Sequence, residues 1–398
     1  MTSPQACFLA AVGSAVFGLQ FNREIVGDIA KAYEVASSHS LGALFFSELS
    51  KYFPKDELYS VIPQAKQDMY TTLYCERRQS FAYDKLCAEF SRQGVRFIPL
   101  KGIVLKWLYP SPELRSMEDI DILIHREDFD KAFSAACAVG FVPKKGNAND
   151  IGIKQTFTMG IVHIDTAISV QGKYLEKCEY VQNMFEHSVP VAGTQYRQTQ
   201  EAEIIYVIHH AAKHMHWEGC GVRQILDMAI LVNEYRSTCN WEEVKRELDS
   251  SRLTKFFCAM LGLIRKWFNV SSPSPLFEAV DVIDEVERYA LDYGTFGMEK
   301  KNLVAGTMLR TNAKKKKIGA IEHFFREYVF LPSNKMAALY PSFEKHRWAI
   351  GFYWIHRLFA RLIRRDKRKL IAKTLAGIPQ AKTISEDESR ILENLGLM

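Results

Sequence analysis

The sequence has few cysteines, and none of them is placed to suggest a metal site or a disulfide framework. Its 398 residues contain eight cysteines, which lie far apart and form no CxxC pair. Disulfide-rich folds and thiolate zinc sites both require clustered cysteines. We therefore predict reduced cysteines that act as small apolar residues in a cytoplasmic protein.

The sequence also shows neither a positively charged N-terminal signal region nor an apolar run long enough to span a bilayer. Residues 1–21 carry no charged side chain, so the positively charged start of a signal peptide is not present. The apolar run 7–19 is shorter than the ~20 residues that span a bilayer. We interpret this run as a buried first helix and expect no transmembrane segment.

Three common catalytic or nucleotide-binding signatures are absent as well. The sequence contains no GxSxG motif, no GxGxxG after a strand, and no GxxxxGK followed by Ser or Thr. These absences argue against serine hydrolases, dinucleotide oxidoreductases and P-loop enzymes. The composition, 47% hydrophobic and 25% charged, is typical of a globular protein.

Hydrophobic periodicity divides the chain into regions of different secondary structure. Apolar residues at three- and four-residue spacing predict helices until Gly94, and the helical period returns after Pro190. We predict an α+β fold in which a small mixed β-sheet core is flanked by N-terminal and C-terminal helical domains. Its parts are an N-terminal helical region 1–93, an α/β core 94–195, a helical domain 196–300 and a basic C-terminal helical region 301–398.

The predicted core contains short strands and helices in alternation. Residues 95–100 and 119–124 are predicted strands, and residues 102–109 and 127–139 are predicted helices. A hairpin is predicted to turn at Met159-Gly160.

The most informative motif is Asp119-Ile120-Asp121, which lies in a predicted strand. Aspartate is disfavoured in strands, so two of them require a reason. Residues i and i+2 of a strand point to the same face, which places Asp119 and Asp121 side by side. Adjacent carboxylates repel unless cations neutralise them, and Mg²⁺ suits such oxygen ligands. The alternative is a strand that begins with two solvated aspartates.

Two further features favour the metal interpretation. Asp165 lies between apolar residues of the predicted hairpin, and His163 shares its face. Three carboxylates on adjacent strands can hold two metal ions for in-line attack at phosphorus. Lys101-Gly102 forms a strand-to-helix turn, where backbone N–H groups and the lysine charge can hold an anion.

Together these motifs resemble the DNA polymerase β-like nucleotidyltransferase superfamily. More closely, they resemble an uncharacterised bacterial branch with an LKG…R..DIDILV signature. The resemblance covers most of the chain and extends to the segments 163–165, 209–214 and 330–332. In this chain Lys-Gly stands at the turn where the superfamily usually has Gly-Ser or Gly-Gly. The segments that carry the resemblance include Pro99-Leu100-Lys101-Gly102, Tyr109, Arg115, Asp119 to Ile124, Asp128 and Gly140-Phe141.

The resemblance implies transfer of a nucleoside monophosphate from an NTP to a hydroxyl group, with release of pyrophosphate. It implies two Mg²⁺ ions, with Mn²⁺ as a substitute, and ATP as the expected donor. Asp119 and Asp121 would bind both ions, and Asp165 would complete the site of one and take the hydroxyl proton. The expected nucleotide-binding residues are Lys101, Gly102, Arg115, His163, His210 and His214.

A histidine cluster in a predicted helix permits three interpretations. His210 and His214 are four residues apart, the spacing that puts two imidazoles on one helix face. They can bind zinc, line the active site, or serve helix packing together with His209 and His216. Asp227 is expected to pair with Arg223 or with one of these histidines.

Charge is unevenly distributed along the chain. Residues 310–369 contain 16 Lys and Arg against 4 Asp and Glu, whereas the whole chain has a formal charge of only +6. This basic segment can contact a nucleic acid, an anionic membrane or an acidic partner, or it can be a solvated helix face.

The acceptor is left open by the sequence: a small molecule, a glycan precursor, a protein or an RNA end. The alternative to an enzyme is a non-catalytic nucleotide-binding or partner-binding module that retains the fold.

Overall fold

The structure is a computed structural model, and its chain divides into two compact units, Met1–Gly297 and Met298–Met398. The residues it describes are 1–25, 27–144, 154–170, 174–176, 178–217, 219–280, 284–292, 294, 336, 347–363 and 386–398.

The N-terminal region is helical, as the periodicity predicts. The first helix begins at Thr2, whose hydroxyl accepts a hydrogen bond from the Gln5 N–H, and it ends at Gly18 with φ of +67°. Its apolar face is buried, which confirms the interpretation of residues 7–19. The helices are α1 (Ser3–Phe17), α2 (Ile29–Ser38), α3 (Gly42–Leu49), α4 (Lys55–Val61) and α5 (Gln64–Gln93).

A seven-stranded mixed sheet follows, with strand order β3-β4-β5-β2-β1-β7-β6. Strands β2 and β5 are parallel, while β1 and β4 run antiparallel to them. The single β1–β7 register pair is Phe97–Gln195, so Pro99, which has no N–H, falls beyond that ladder. The strands are β1 (Phe97–Leu100), β2 (Asp119–Ile124), β3 (Val142–Pro143), β4 (Lys154–Met159), β5 (Val162–Ala167), β6 (Ser188–Ala192) and β7 (Gln195–Gln198).

The two faces of the sheet have different surroundings. Ile120, Ile122 and Ile124 of β2 are buried in a core that they share with side chains of α5 and α7 (Phe129–Ala138). Burying each isoleucine contributes about 2 kcal/mol to stability. The alternate residues of β2, including both aspartates, therefore lie on the opposite face.

The remaining helices lie mostly after the sheet. Two short helices interrupt the strands, and the predicted helix 102–109 ends early, at Leu105, before a 3-10 turn at Lys106–Leu108. These helices are α6 (Gly102–Leu105), α8 (Glu179–Gln182), α9 (Gln200–Trp217), α10 (Val222–Glu234), α11 (Trp241–Ser250), α12 (Thr254–Phe268), α13 (Asp284–Asp292) and, in the second unit, α14 (Ile350–Ile363).

The prediction that helical structure resumes after Pro190 is wrong. Strands β6 and β7 form an antiparallel hairpin there, and the next long helix, α9, begins at Gln200. This strand is difficult to predict because β6 is short, contains a proline and is a mostly exposed edge strand. The α+β fold class itself is confirmed.

Much of the basic C-terminal segment lies outside the described residues, including Lys314–Lys317 and residues 364–369. In the described part of the second unit, Ile350, Tyr353 and Trp354 pack against Met336. None of the helices in the described ranges has both the length and the apolar character required to cross a membrane.

Helix α5 fixes the two segments that lead into the face with the aspartates. Gln79 donates a hydrogen bond of 3.0 Å to the carbonyl of Met117, two residues before Asp119. The ammonium group of Lys106, only 1% exposed, contacts Glu76 at 3.2 Å and Ser80 at 2.7 Å. These contacts join α5 to the chain on both sides of residues 107–116.

Replacing Glu76 with Gln tests the importance of the buried pair. The change leaves the Lys106 ammonium buried without its carboxylate, so we expect the free energy of unfolding to fall by about 3 kcal/mol. Urea denaturation measures the loss. As a matched control, Lys245→Met removes the half-exposed pair with Asp249 and should cost less than about 1 kcal/mol. Equal losses in the two variants would contradict the prediction.

Candidate active site

A cleft lies over the sheet face that carries the aspartates, and it consists of two adjoining cavities. One, called the basic lobe for its two arginines, has a volume of about 270 Å³. Arg115 and Arg223 line it together with the acidic residues Glu118, Asp119 and Asp227. The other, the second lobe, has a volume of about 280 Å³ and includes Leu100, Leu123, Ala167, Val170 and Tyr206. The lobes share Lys101, Asp121, Lys154, Asp165, His210 and Lys213.

The register of two parallel strands brings the three carboxylates together. Asp121 of β2 lies directly opposite Asp165 of β5, and Asp119 is two residues earlier on the same face. Ligand oxygens of the three side chains all lie within 4.8 Å of one another. Among the described residues, this is the one group of three or more acidic, histidine or cysteine side chains that could hold a metal ion.

The carboxylates carry an electrostatic cost that nearby lysines offset. Burial raises the pKa of Asp119 above its ordinary value, and the negative charge of Asp121 raises it further. The ammonium of Lys101 lies 3.0 Å from Asp121, and that of Lys154 lies 2.5 Å from Asp165. Asp121 and Asp165 thus each have an ammonium partner within 3.0 Å, whereas the charge of Asp119 adds to the repulsion among the carboxylates.

Strand β4 orients the third carboxylate. Thr156 lies opposite Asp165 in the antiparallel β4–β5 pair, and its hydroxyl donates a hydrogen bond of 2.6 Å to Oδ1. Lys154, on the same face of β4, contacts Oδ2. Each oxygen of Asp165 therefore has its own partner, which restricts rotation of the carboxylate.

Lys101 occupies an unusual backbone conformation, with φ of +53° and ψ of −121°. A positive φ favours glycine, and a side chain there stores strain of the kind that collects at functional sites. Lys101 thus has a backbone conformation that glycine adopts more readily than other residues. Burial opposes its charge, but Tyr206 and Asp121 outweigh that effect and raise the pKa of the ammonium above its usual range.

Gly102 is buried directly after this residue, at the start of α6. A Cβ atom there would lie 2.5 Å from Nη1 of Arg115 and 2.5 Å from the sulfur of Met117. Glycine is therefore required for the close approach of the Arg115 side chain to the turn.

The sequence match agrees with this geometry. Residues 27–269, more than half of the chain, match the family described as uncharacterised nucleotidyltransferase. The chain belongs to this nucleotidyltransferase family. A comparison of this chain with the curated proteins and with the solved structures found no match. The prediction of a nucleotidyltransferase family is thereby confirmed.

In this nucleotidyltransferase, Arg115 is held by a carboxylate. Its guanidinium donates bonds of 2.9 and 2.6 Å to Asp227 of α10, which also accepts a bond of 2.8 Å from the Tyr109 hydroxyl. Asp227 was expected to pair with Arg223 or a histidine, and the structure gives it Arg115 and Tyr109 instead. The nitrogen Nη1 of Arg115 lies against Gly102, at the wall of the basic lobe.

The histidines of α9 divide into two pairs. His210 and His214 line the basic lobe, and their Nε2 atoms lie 3.1 Å apart. Burial lowers the pKa of His210 well below its usual range, and the charge of Lys101 adds to this effect, so the ring is neutral at neutral pH. His209 and His216 are buried. Zinc requires about four ligands, and no third one joins His210 and His214 among the described residues.

One residue that was expected in the site, His163, lies outside the lining of both lobes. His163 lies opposite Asp119 in the β2–β5 register, but it is not among the residues that line either lobe. Its contact with nucleotide therefore stays a prediction.

Several residues that the sequence analysis did not assign to the site lie in the cleft or contact its carboxylates. The hairpin pattern offered a signal for Lys154 and Thr156, because both alternate on the face of β4 that meets Asp165. Tyr206 and Lys213 share a helix with His210, at spacings of four and three residues, so helix periodicity could have grouped them. Arg223 lies in the basic lobe, where its guanidinium donates a bond of 3.0 Å to the Ser116 carbonyl.

Replacing Asp227 with Asn should destabilise the protein strongly. The Arg115 guanidinium, 8% exposed, would then be buried without a negative partner, so we expect a loss of about 3 kcal/mol in the free energy of unfolding. Urea denaturation measures this loss. Asp249→Asn, in a half-exposed ion pair of α11, is the control and should cost less than about 1 kcal/mol. A stable Asp227→Asn protein would show that the pair does not anchor Arg115.

His209 should make folding sensitive to acid. Its Nδ1 bonds the Ile205 carbonyl at 2.8 Å, its Nε2 has no partner among the described residues, and burial lowers its pKa to about 4. An unfolded histidine titrates near pH 6.5 and so binds more protons than the folded one between pH 6.5 and 4.

The free energy of unfolding should therefore fall as the pH decreases through this window, with about 3 kcal/mol attributable to His209. His209→Asn keeps a donor for Ile205 but cannot titrate. Urea denaturation at several pH values should give a flatter pH profile for this variant, and an unchanged profile would exclude His209 as the cause.

Proposed function

We propose that this protein is a divalent-metal-dependent enzyme that transfers a nucleoside monophosphate from an NTP to an acceptor hydroxyl and releases pyrophosphate. The observation that carries the proposal is the convergence of Asp119, Asp121 and Asp165 within 4.8 Å, beside basic side chains, in a member of a nucleotidyltransferase family. Mg²⁺ is the expected ion, and Mn²⁺, which accepts the same oxygen ligands, is the substitute.

The donor set fits such ions. Three carboxylates within reach of one another match the oxygen preference of Mg²⁺, and Asp119 and Asp121 would serve both ions while Asp165 would serve one. When bound, the ions would polarise the α-phosphate and help to deprotonate the acceptor hydroxyl. Lys101 and Lys154, which now neutralise Asp121 and Asp165, would be free to turn toward phosphate oxygens.

The basic lobe suits the triphosphate. Lys101 presents an ammonium beside Asp121, Gly102 permits close approach to the backbone of the turn, and Nη1 of Arg115 lies at the same wall. Helix α6 has only four residues, so the lysine and arginine charges would contribute more than a helix dipole. His210 and His214 present imidazole edges for hydrogen bonds to the nucleotide.

The chemistry is an in-line displacement at the α-phosphorus. The acceptor oxygen forms a bond to this phosphorus, and its proton passes to Asp165. The bond from the α-phosphorus to the bridging oxygen breaks, and pyrophosphate leaves with the negative charge. Thr156 contributes by holding Asp165 in one orientation.

Several finer features belong to the same proposal. ATP is the donor, the chain belongs to the bacterial branch with the LKG…R..DIDILV signature, and the protein is cytoplasmic. The motif residues 100–102, 115 and 119–124 support the branch, and eight free thiols fit a reducing compartment.

The basic segment 310–369 provides a contact for a polyanion. Its net charge of +12 supports this role. Binding of the full chain to a heparin column should weaken steeply between about 50 and 200 mM salt. Salt-insensitive retention, or none at low salt, would contradict an electrostatic contact.

Replacing Asp121 with Asn tests the enzyme against the non-catalytic alternative. Pyrophosphate release is measured with each of the four common NTPs, Mg²⁺ and a cell extract that supplies acceptors. We expect metal-dependent release by the wild type and at least a 100-fold loss, roughly, in the variant, because one carboxylate of the metal site is neutralised.

Asp130→Asn, an exposed carboxylate of α7 on the opposite side of the sheet, is the matched control and should retain wild-type release. Release that survives in Asp121→Asn would exclude this site. A metal-dependent thermal shift with NTP, but no release from any of the four nucleotides, would favour the non-catalytic module.

A further inference from the structure

Helix α5 carries large apolar side chains on a face that is open to solvent. It has 30 residues and is the longest helix in the described part of the chain. Tyr70, Tyr74 and Phe81 are 62%, 58% and 54% exposed, and Leu73 is 41% exposed. At 3.6 residues per turn, these four side chains project within about 100° of one another around the helix. A contiguous apolar surface of this kind marks an interaction site, whereas single exposed residues do not.

Charged side chains of both signs lie on the same face. Lys66 and Asp84 project within about 20° of Arg77, so all three belong to the exposed face. Neither Lys66 nor Asp84 forms an ion pair or a hydrogen bond with another residue in the described ranges. They are separated by about 27 Å along the helix, which is too far for them to neutralise each other.

The exposed face is complementary to itself when a second copy of the helix runs antiparallel to it. A two-fold axis between positions 75 and 76 puts residue 70 of one copy level with residue 81 of the other, and residue 74 level with residue 77. Tyr70 then meets the ring of Phe81 of the second copy. Tyr74 meets the guanidinium of Arg77 of the second copy, which is a favourable cation–π pair.

The charges match in the same register. Lys66 lies level with Asp84 of the second copy, and the two-fold symmetry makes this pair occur twice. Each charge without a partner in its own chain therefore gains one in the other chain. Lys85, which is close in height to Lys66 of the second copy, is turned away from it, with its ammonium 5.3 Å from the ring centre of Phe81 on its own helix.

We propose that this protein forms a homodimer in which the exposed faces of two α5 helices pack antiparallel. The other face of α5 packs into the core with Ala82, Leu86 and Phe90, on the side of the sheet opposite the three carboxylates. The dimer therefore leaves the cleft of each copy open. A nucleic acid fits this face less well, because the Asp84 carboxylate would meet its phosphates and the carboxylate cluster lies across the sheet.

The contact has the size of a moderate rather than an obligate interface. Two helices that touch between residues 66 and 84 share a contact about 27 Å long. We expect a dimer whose Kd lies between roughly 1 and 100 µM.

Exchange of the two charges tests the proposal. Lys66→Asp and Asp84→Lys each place like charges at both inter-chain pairs, whereas the double variant with both changes restores opposite charges. Because the two positions are about 27 Å apart in one chain, such restoration requires contact between chains. Sedimentation of the full chain from about 1 to 200 µM measures the Kd, which sets this concentration range. Melting curves first establish that each variant is folded.

We expect the wild type to dimerise and each single variant to raise the Kd roughly 10-fold, because two ion pairs are replaced by repulsion. The double variant should return to within about threefold of the wild type. Phe81→Ser, which removes the aromatic contact, should weaken the dimer by roughly 10-fold or more. Glu242→Lys, an exposed charge reversal on α11, is the matched control and should leave the Kd unchanged.

Three results would overturn the proposal. One is a wild-type protein that stays monomeric over the whole concentration range, as expected if this face binds a different protein or a nucleic acid. The second is a dimer that neither single charge reversal weakens. The third is a double variant that dimerises as poorly as the two single variants.

Discussion

Repulsion among three carboxylates on one sheet face is the constraint on which the rest of the structure depends. Carboxylate oxygens of Asp119, Asp121 and Asp165 lie within 4.8 Å of one another, so nearby positive charges are needed to offset their repulsion. Lys101 and Lys154 supply two of the positive charges. The left-handed backbone of Lys101 is tolerated because the turn must deliver this ammonium to Asp121.

The helices outside the sheet keep this cluster in position. Helix α5 anchors the segments on either side of the Tyr109–Arg115 loop through Glu76 and Gln79, and α10 anchors Arg115 itself through Asp227. Both ion pairs are buried, so loss of one partner leaves an unneutralised charge rather than a merely weaker contact. The helical regions thus support the candidate active site through these contacts.

Sequence reasoning was most successful where chemistry and local periodicity coincide. The alternation in 119–124 identified the face of β2 that carries the aspartates, and the hairpin around Met159-Gly160 placed Asp165 on a strand of the same sheet. It failed for the β6–β7 hairpin, where Pro190 lies within a short edge strand whose valines, Val189 and Val191, are exposed. It also mispaired Asp227, because its partner Arg115 is 112 residues away and no local spacing reveals such a contact.

The sequence by itself determined the residue types and their side of the strand: two aspartates on one face, a third in a later strand, and a lysine-glycine turn before them. Only the tertiary structure decided the register that sets Asp121 against Asp165, the lysines that neutralise them, and the two-lobed cleft. The physical reason is the separation along the chain of the residues that interact. Strand alternation acts over neighbouring residues, whereas register, ion pairing and cavity shape arise from contacts between segments that are distant in the chain.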